Sequence, residues 1–590
     1  MNGQWAIGWL ILLATLVACS AGREIAPRPN VLVISVDTLR RDHLGCYGYE
    51  RDTSPNIDAL AARGVMFSNA LSTSSWTLPS HASMLTGRYP SSHGLRDDGV
   101  KLAPGVPTLA AGFRRNGYHT LAVVSHVYVS SAFGLERGFD VFDDSLTEGG
   151  ATNPLAERVA DRFLAILRAS PARPFFGFVH FFDPHWPYTA PEPFARRFAD
   201  PAYAGPIDGS VESLFPYFFA SRAMPDRHRE EMIARYDGEI AYLDHQIGRL
   251  IDGLRKQGDL DRTVVALVAD HGEEFKEHGQ LGHGRTLYGE LIRVPFVLAG
   301  HPALQPGSRR DDLVSLIDLA PTLLDLVGAE ALPGVDGRSL LAHEGLDRAL
   351  FSESIRFGVE MRALRRGRYK LIHVPSKDLE LYYDLLSDPG ERAPLGRDPT
   401  GGELASALAE YAALAESGWH LKLVGFTAAG LRCRASIRTS GRFVDPRRYF
   451  SKDISGRRVL FHEFNTASSE EDSLSFDVSI SNHVAEVSFE TDPPDAAVTF
   501  EIHAESASKP AGVFLSDGDE IPSDRAVRLE RTDPRLAGPP PAHGSALAGV
   551  YIRAVASPEA SPPRARLSSE AIEHLEALGY LEDGSEVRPE

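Results

Sequence analysis

Two apolar runs of the chain end on side chains that commonly bind metal ions. Asn30–Val36 is rich in branched aliphatic residues and is followed by Asp37, and Thr263–Ala269 is followed by Asp270 and His271. Buried strands of parallel sheets have this composition, and functional groups gather at their carboxyl ends. Two carboxylates and an imidazole can bind Ca²⁺, Mg²⁺, Mn²⁺ or Zn²⁺. We therefore predict a site for one divalent cation here, although each aspartate alone could instead cap a turn or a helix.

A hydroxyl group is the candidate nucleophile. In the segment 74–87, Pro79 can occupy the first turn of a helix that Gly87 ends, and this places Thr77 just before the helix. A hydroxyl at that position faces unpaired backbone N–H groups and the positive end of the helix dipole, which suits attack on an anionic ester. The alternative is that Thr77 serves only as the N-cap.

The surrounding pattern indicates the elements that position these groups. Further apolar runs at 121–125, 175–182 and 294–298 alternate with helical patterns, the clearest at 229–257. Such alternation predicts an α/β fold with a mainly parallel sheet and helices on both faces. We expect a catalytic α/β domain at 30–330 and a smaller part of the same fold at 331–418.

The C-terminal part has a different texture. From about residue 419, apolar and polar residues alternate with period two, which predicts antiparallel strands in a sandwich-like domain over 419–560. Segment 566–582 is expected to close the chain as a short amphipathic helix.

Composition excludes some classes of function. The chain has 590 residues, a formal charge of −19 and 43% hydrophobic residues, without a basic stripe. These values argue against a disordered protein and against nucleic acid as a partner. An anionic ester or a glycan or lipid head group remains a compatible ligand, because a bound cation can reverse the local field.

The N-terminus has the pattern of an export signal. An apolar run from Trp5 to Ala18 is too short to span a bilayer, and Cys19 follows it in a sequence similar to a bacterial lipobox. Residues 1–19 would then be a signal peptide, and Cys19 would carry a lipid anchor to the membrane of the periplasm or outer membrane. A plain secretory signal or a short anchor is the alternative. Cys46 and Cys433 are the other cysteines, and their wide spacing suits neither a disulfide framework nor a zinc cluster.

Taken together, segments 30–49, 77–87 and 270–288 resemble the sulfatase family of the alkaline phosphatase superfamily, and the resemblance extends over about residues 30–400. It implies a divalent cation held by Asp37, Asp270 and His271 beside a nucleophile. It also implies that His185 and His283 hold the ester or protonate the leaving oxygen. Either histidine could instead lie in an ordinary surface loop.

Three departures from the family pattern affect the expected chemistry. Thr77 stands where sulfatases carry the Cys or Ser that becomes formylglycine, so no formylglycine is expected and Thr77 must act as itself. His81 stands at the position of the family arginine, and Thr38 where a further aspartate is common. We expect His81 to contact substrate, together with His126 and Arg285.

Three functions follow from these residues. The first is hydrolysis or transfer of phosphate or phosphonate esters by Thr77, because threonine nucleophiles of the superfamily act on phosphorus. The second is hydrolysis of sulfate esters without formylglycine. The third is a non-catalytic envelope protein whose β-rich region binds a glycan.

Overall fold

The strands and helices of the α/β part alternate along the chain. The computed structural model describes residues 28–96, 98, 101–147, 155–170, 172–218, 223–341, 348–353, 355–377, 379–415, 418–425, 431–450, 464–469, 472–480, 483–492, 496–505, 511–515, 519–522, 525–536, 549–555, 567–569, 571–572 and 575. The helices are α1 (Pro55–Ala62), α2 (Thr77–Thr86), α3 (Pro90–His93), α4 (Leu109–Arg115), α5 (Ala156–Ala169), α6 (Val211–Phe218), α7 (Asp226–Lys256), α8 (Gly289–Ile292), α9 (Leu319–Leu326) and α10 (Glu403–Ala415). The first strands are β1 (Asn30–Val36), β2 (Gly64–Leu71), β3 (His119–Val123), β4 (Val141–Asp143), β5 (Phe175–Phe181), β6 (Thr263–Ala269), β7 (Glu274–Phe275), β8 (Leu281–Gly282), β9 (Arg293–Val294), β10 (Phe296–Ala299) and β11 (Ser308–Ser315).

The large sheet places the two apolar runs next to each other. Its strand order is β11-β2-β10-β6-β1-β5-β3-β4, with β9 beside β2. β1 is parallel to both β5 and β6, and all its residues are buried. Only β10 runs antiparallel along this path through the described residues. The predicted α/β fold with a mainly parallel sheet is therefore confirmed. Pro295 divides the predicted run at 294–298 into β9 and β10.

Long helices cover the sheet. α7 has 31 residues and packs against α5 and α1. Leu243, Ile247 and Leu250 of α7 lie fully buried in the same hydrophobic core as the strands. This helix matches the pattern predicted at 229–257. The buried apolar face of α7 therefore packs in the same core as the strands that carry the site residues.

A second, antiparallel sheet follows the large one. Its order is β12-β13-β14-β15. The strands are β12 (Ala349–Ser352), β13 (Arg362–Arg366), β14 (Tyr369–Val374) and β15 (Leu379–Asp384). Leu364, Leu371 and Leu408 form a small core with Tyr89 and Ile317. The second sheet and α10 thus pack directly on the α/β part.

The remaining strands form two facing sheets. They are β16 (Gly418–Gly425), β17 (Leu431–Thr439), β18 (Arg442–Phe450), β19 (Phe464–Ser469), β20 (Ser473–Ile480), β21 (His483–Asp492), β22 (Val498–Glu505), β23 (Gly512–Leu515), β24 (Glu520–Ile521), β25 (Val527–Leu529) and β26 (Gly549–Val555). One sheet has the order β18-β21-β16-β26-β23-β24 and the other β19-β20-β17-β22-β25. Trp419 and Val550 of the first sheet share a separate core with Cys433 and Val498 of the second. The predicted β-rich region is present.

Two predictions fall wholly or partly outside the described residues. Segment 1–19 with Cys19 lies outside them, and so does most of the closing segment 566–582. Leu567 and Leu575 of that segment are described and are buried in the core of the α/β part. Within the described part of the chain, no helix is both long and apolar enough to cross a membrane.

Candidate active site

The carboxyl ends of β1 and β6 bring the two predicted carboxylates together. Val36 is paired with Ala269 in the parallel register, so Asp37 and Asp270 leave the sheet side by side. The backbone confirms this, because Asp270 N donates to Val36 O at 3.3 Å. Both side chains are completely buried.

These carboxylates and His271 fit a metal ion. One ligand atom from each of the three residues lies within 4.8 Å of the other two. His271 Nδ1 lies 3.0 Å from Gly272 O, so it is suited to donate to that carbonyl and to leave Nε2 as a ligand. Asp37 Oδ1 and Asp270 Oδ2 accept no hydrogen bond from any described residue. Buried carboxylate oxygens without donors are costly unless a cation binds them.

The electrostatics support the same conclusion. Burial, followed by the Glu273 carboxylate, raises the pKa of Asp37 well above its usual value. Burial and then Asp37 do the same to the pKa of Asp270. Burial and His283 lower the pKa of His271, so its imidazole is neutral and able to bind metal. Two negative charges are therefore unfavourable at this buried position unless a positive ion binds between them.

Thr77 lies beside this cluster. Its Oγ1 is 3.4 Å from Asp37 Oδ2 and 3.3 Å from His271 Nε2. The helix begins at Thr77 itself and Trp76 is the N-cap, so the predicted position just before the helix is wrong by one residue. Gly87, with φ 69°, ends the helix in the left-handed conformation. The hydroxyl still lies in the first turn, where the helix dipole favours an anion.

His283 and His185 lie on one side of the cluster. The His283 ring is 4.6 Å from that of His271 and 5.0 Å from that of His185. Nδ1 of His283 is 2.9 Å from Glu273 Oε1. Glu273 also accepts a hydrogen bond from Tyr188. The two histidines are thus buried at the site and not in surface loops.

Burial sets the protonation states of this pair. Burial raises the pKa of Glu273 to about 8, whereas burial and the nearby Arg285 lower the pKa of His283 to about 3. A neutral His283 has one N–H, and the Glu273 contact at Nδ1 controls which ring nitrogen carries it. The sequence did not single out Glu273, which lies next to the Asp270-His271-Gly272 segment.

The predicted substrate contacts occupy different positions. His126 is stacked on Phe182 at 4.5 Å, and its ring centre is 6.2 Å from that of His185. Arg285 lies over Phe357 at 5.0 Å and is only partly buried. His126 thus lies near His185, and Arg285 is near enough to His283 to lower its pKa.

His81 lies beneath the cluster. Its Nε2 is 2.9 Å from Ser35 Oγ and its Nδ1 is 2.9 Å from Thr77 O. Nδ1 is also 3.4 Å from Asp270 Oδ2. Both ring nitrogens of His81 therefore face protein atoms, one of them in the first turn of α2, and its contact with substrate remains a prediction.

Sequence reasoning missed His180 on β5. This side chain is fully buried, and its Nε2 lies 3.6 Å from Asp37 Oδ2. Burial lowers its pKa to about 3. The only signal was a histidine inside an otherwise apolar strand, and the parallel pairing of β1 with β5 is what places it beside Asp37.

Thr38 contributes its backbone where the family often has a carboxylate. Its φ of 52° turns the chain in the left-handed region. Thr38 N then donates to Asp270 Oδ1 at 3.2 Å, and His271 N donates to the same oxygen at 2.8 Å. The two N–H groups hold Asp270 so that its other oxygen remains available.

Comparisons with known proteins identify relatives of this arrangement. The family model Sulfatase matches residues 29–329, and the model N-sulphoglucosamine sulphohydrolase, C-terminal, matches residues 276–416. A Delta 4,5-hexuronate-2-O-sulfatase of Bacteroides thetaiotaomicron is 27% identical over 441 residues, which cover 68% of this chain and 90% of that protein. A choline-sulfatase of Rhizobium meliloti is 26% identical, with coverages of 67% and 88%.

Solved structures share the α/β part. The structure of a 2-O GAG sulfatase superimposes with a TM-score of 0.54 at 25% identity, covering 66% of this chain and 91% of that one. A phosphonate monoester hydrolase of Agrobacterium radiobacter has the same fold, with a TM-score of 0.52, 23% identity and coverages of 65% and 94%. Because the Sulfatase model spans half of the sequence and includes Asp37, Thr77, Asp270 and His271, the chain belongs to the sulfatase family.

Proposed function

We propose that this sulfatase-family hydrolase cleaves anionic phosphate or phosphonate esters, with Thr77 as the nucleophile beside a divalent cation. The observation that carries the proposal is the position of Thr77 Oγ1, 3.3 Å from His271 Nε2 and 3.4 Å from Asp37 Oδ2. Its hydroxyl is fully buried and lies in the first turn of α2. These contacts bring an alcohol, a proton acceptor and a metal-binding cluster to one point.

Asp37, Asp270 and His271 would hold the cation. Their unpartnered carboxylate oxygens and free imidazole nitrogen match Ca²⁺, Mn²⁺, Mg²⁺ or Zn²⁺. When bound, such an ion supplies Lewis-acid chemistry, lowering the pKa of a coordinated hydroxyl and neutralising charge on the ester. Thr38 N and His271 N keep Asp270 in the required orientation.

The first half of the reaction transfers the phosphoryl group to Thr77. The Thr77 hydroxyl gives its proton to Asp37 Oδ2 as Oγ1 attacks phosphorus, and the bond between phosphorus and the leaving oxygen breaks. His283 donates the N–H that lies away from Glu273 to that oxygen while its Nδ1 takes the proton of Glu273, which a pKa of about 8 keeps protonated at neutral pH. Glu273 holds Nδ1 of His283 and so directs the other nitrogen.

The second half regenerates the hydroxyl. Water attacks phosphorus, the bond to Thr77 Oγ1 breaks, and this oxygen takes back its proton from Asp37 Oδ2. His283 accepts a proton of this water at the nitrogen that gave one up, and the proton on Nδ1 returns to Glu273. His185, whose ring is 5.0 Å from that of His283, would hold the non-bridging oxygens of the ester.

The threonine favours phosphorus over sulfur as the reacting atom. A formylglycine hydrate carries a second hydroxyl that can expel the transferred group from carbon, but threonine has only one. Release from Thr77 therefore requires a second attack at the transferred atom itself. Phosphorus with an adjacent cation tolerates such repeated in-line displacement.

Sulfate ester hydrolysis is the second candidate. It is favoured by the relatives, because the Bacteroides protein is named a hexuronate sulfatase and the Rhizobium protein a choline-sulfatase. Sulfate and phosphate monoesters share tetrahedral anionic geometry, so the same histidines would suit both. The lipid anchor at Cys19 remains a prediction, and it would place either activity at a membrane surface.

The test is hydrolysis of nitrophenyl phosphate, phosphodiester, phosphonate and sulfate esters by the chain without residues 1–19. Thr77→Ser should retain activity, and Thr77→Val should lose at least about 10³-fold in kcat, because only the hydroxyl is removed. Thr86→Val is the matched control, since Thr86 is a buried hydroxyl on the same helix that donates to Ala82 O.

The outcomes separate the three functions. Metal-dependent phosphoester turnover that is lost in Thr77→Val supports the proposal. If only the sulfate ester is hydrolysed, the second candidate, sulfate ester hydrolysis, is correct and the phosphorus preference is wrong. If metal binds but no ester turns over, the catalytic role is wrong and the β sandwich should be tested for glycan binding.

A further inference from the structure

A small cavity lies where β9 and the second sheet meet. Its polar lining consists of Arg293, Arg365, Lys370, Glu391 and Ser352, and the rest is mainly aliphatic. The cavity volume is about 10 Å³, which is the space that one water-sized particle requires. Three cations and one carboxylate thus surround a space for a single small particle.

The carboxylate of Glu391 already has hydrogen-bond donors within the protein. Glu391 pairs with Lys370, whose Nζ is 2.7 Å from Oε1 and 2.9 Å from Oε2. Glu391 Oε2 also accepts from Gly289 N at 3.0 Å. Lys370 Nζ completes its set of acceptors with Leu287 O at 2.7 Å. The Glu391 carboxylate also acts to raise the pKa of both arginines, so one negative charge serves three cations and the cluster keeps a net positive charge.

The two arginines keep unused donors inside the protein. Arg365 is only 8% exposed. It donates from Nε to Gly367 O at 3.3 Å and from Nη2 to Asn69 Oδ1 at 3.0 Å. Arg365 Nη1 and Arg293 Nε are buried and have no hydrogen-bond acceptor among the described residues. Neither guanidinium forms an ion pair with a described carboxylate.

The arginines also repel each other. Burial, then Arg41 and Arg365, lower the pKa of Arg293 to about 10. Burial similarly lowers the pKa of Arg365 to about 10. Both remain charged at neutral pH. Burying two like charges with unpaired N–H groups is unfavourable unless an anion lies between them.

We propose that this cavity binds a monatomic anion, chloride, between Arg293 and Arg365. A water molecule could accept one of the N–H groups but would leave the net positive charge of the three cations and Glu391 uncompensated. Sulfate and phosphate are too large for a space of about 10 Å³. The proposal does not depend on the reaction proposed for Thr77.

The anion would join two parts of the fold. Arg293 lies on β9, which pairs with Leu71 at the end of β2. Arg365 lies on β13 of the second sheet and reaches Asn69 on β2. Chloride would therefore stabilise the packing of the second sheet on the α/β part.

The experiment compares melting temperatures of the full chain in sodium chloride and sodium gluconate at equal ionic strength. Chloride should raise the melting temperature in a saturable way by about 2 °C at roughly ten times its Kd. Arg365→Gln should abolish the chloride effect. Arg366→Gln, which alters the exposed neighbour on the same strand, should retain it.

Bromide in wild-type crystals provides a second readout that needs no variant. An anomalous peak between Arg293 and Arg365 would support the site. Equal melting temperatures in the two salts, an undiminished chloride effect in Arg365→Gln, or no bromide peak would each overturn the proposal.

Discussion

Replacing Asp37 by asparagine should have opposite consequences with and without metal. The ligand atoms of Asp37 and Asp270 lie within 4.8 Å of each other. Two charges at that distance repel by about 3 kcal/mol at an effective dielectric constant of about 20. Without a cation the protein bears this repulsion or takes up a proton, so Asp37→Asn should make the metal-free protein more stable by about 1–3 kcal/mol.

Bound metal should reverse this difference in stability between Asp37→Asn and the wild type. An ion at about 100 times its Kd stabilises the wild type by about 2.7 kcal/mol, and Asp37→Asn removes one of its ligands. Adding metal should therefore shift the stability difference by up to about 3 kcal/mol in favour of the wild type. The assay is chemical unfolding in EDTA and in Ca²⁺, Mn²⁺, Mg²⁺ or Zn²⁺.

Asp318→Asn is the matched control. Asp318 is also a buried carboxylate, but its oxygens accept from Ser315 N and Arg338 N and pair with Arg348. Its replacement should destabilise the protein equally in both conditions. If Asp37→Asn shows the same deficit with EDTA as with metal, the cation-site reasoning is refuted.

Two further predictions concern glutamates near the site. Glu273→Gln should lower kcat about 10–100-fold with little change in KM, because the contact that orients His283 is weakened. An unchanged kcat would exclude this positioning role. Burial and then Glu290 raise the pKa of Glu274 to about 7, so its stabilising contribution is complete below about pH 4.5 and is lost as the pH rises through 7. Glu274→Gln should therefore be more favourable at pH 8 than at pH 5 by up to about 3 kcal/mol, measured by urea unfolding at each pH.

Glu277 provides the control for the pH experiment. Although burial raises its pKa, the ion pair with Arg40 lowers it below the usual value overall. Its stabilisation is present above the unfolded pKa and is lost in acid. Glu277→Gln should consequently be about equally harmful at pH 5 and at pH 8, because both lie above its unfolded pKa, whereas the effect of Glu274→Gln changes between them. Equal effects of Glu274→Gln at both pH values would contradict the pKa assignment.

Two residues that depart from the family pattern, His81 and Thr38, make specific contacts in the structure. His81 connects Ser35 to the first turn of α2, where its two nitrogens act inside the protein. Thr38 supplies a backbone N–H to Asp270 in place of another carboxylate. The site therefore has a threonine at the position of the proposed nucleophile and one carboxylate fewer than is common in the family, but it retains the buried cluster of Asp37, Asp270 and His271.

Local sequence was sufficient for the elements and for four site residues. Asp37, Asp270 and His271 follow continuous apolar runs, and parallel pairing brings the ends of such strands to one edge. Thr77 was identifiable because Pro79 marks the start of a short helix and Gly87 marks its end. Periodicity likewise indicated the long helix α7 and the change to antiparallel strands in the C-terminal region.

Tertiary packing determined the remaining contacts. The role of His81 depends on Ser35, which lies 46 residues away in sequence, and the position of His180 depends on β5 lying beside β1. The pairing of Arg365 with Asn69 spans 296 residues. Periodicity reports which face of an element is buried, but not which distant side chain faces it, because sheet order and packing bring those residues together. The sequence by itself therefore determined the sheet edge that carries the two carboxylates, His271 and the hydroxyl, and only the tertiary structure decided that His180 and Glu273 lie beside them.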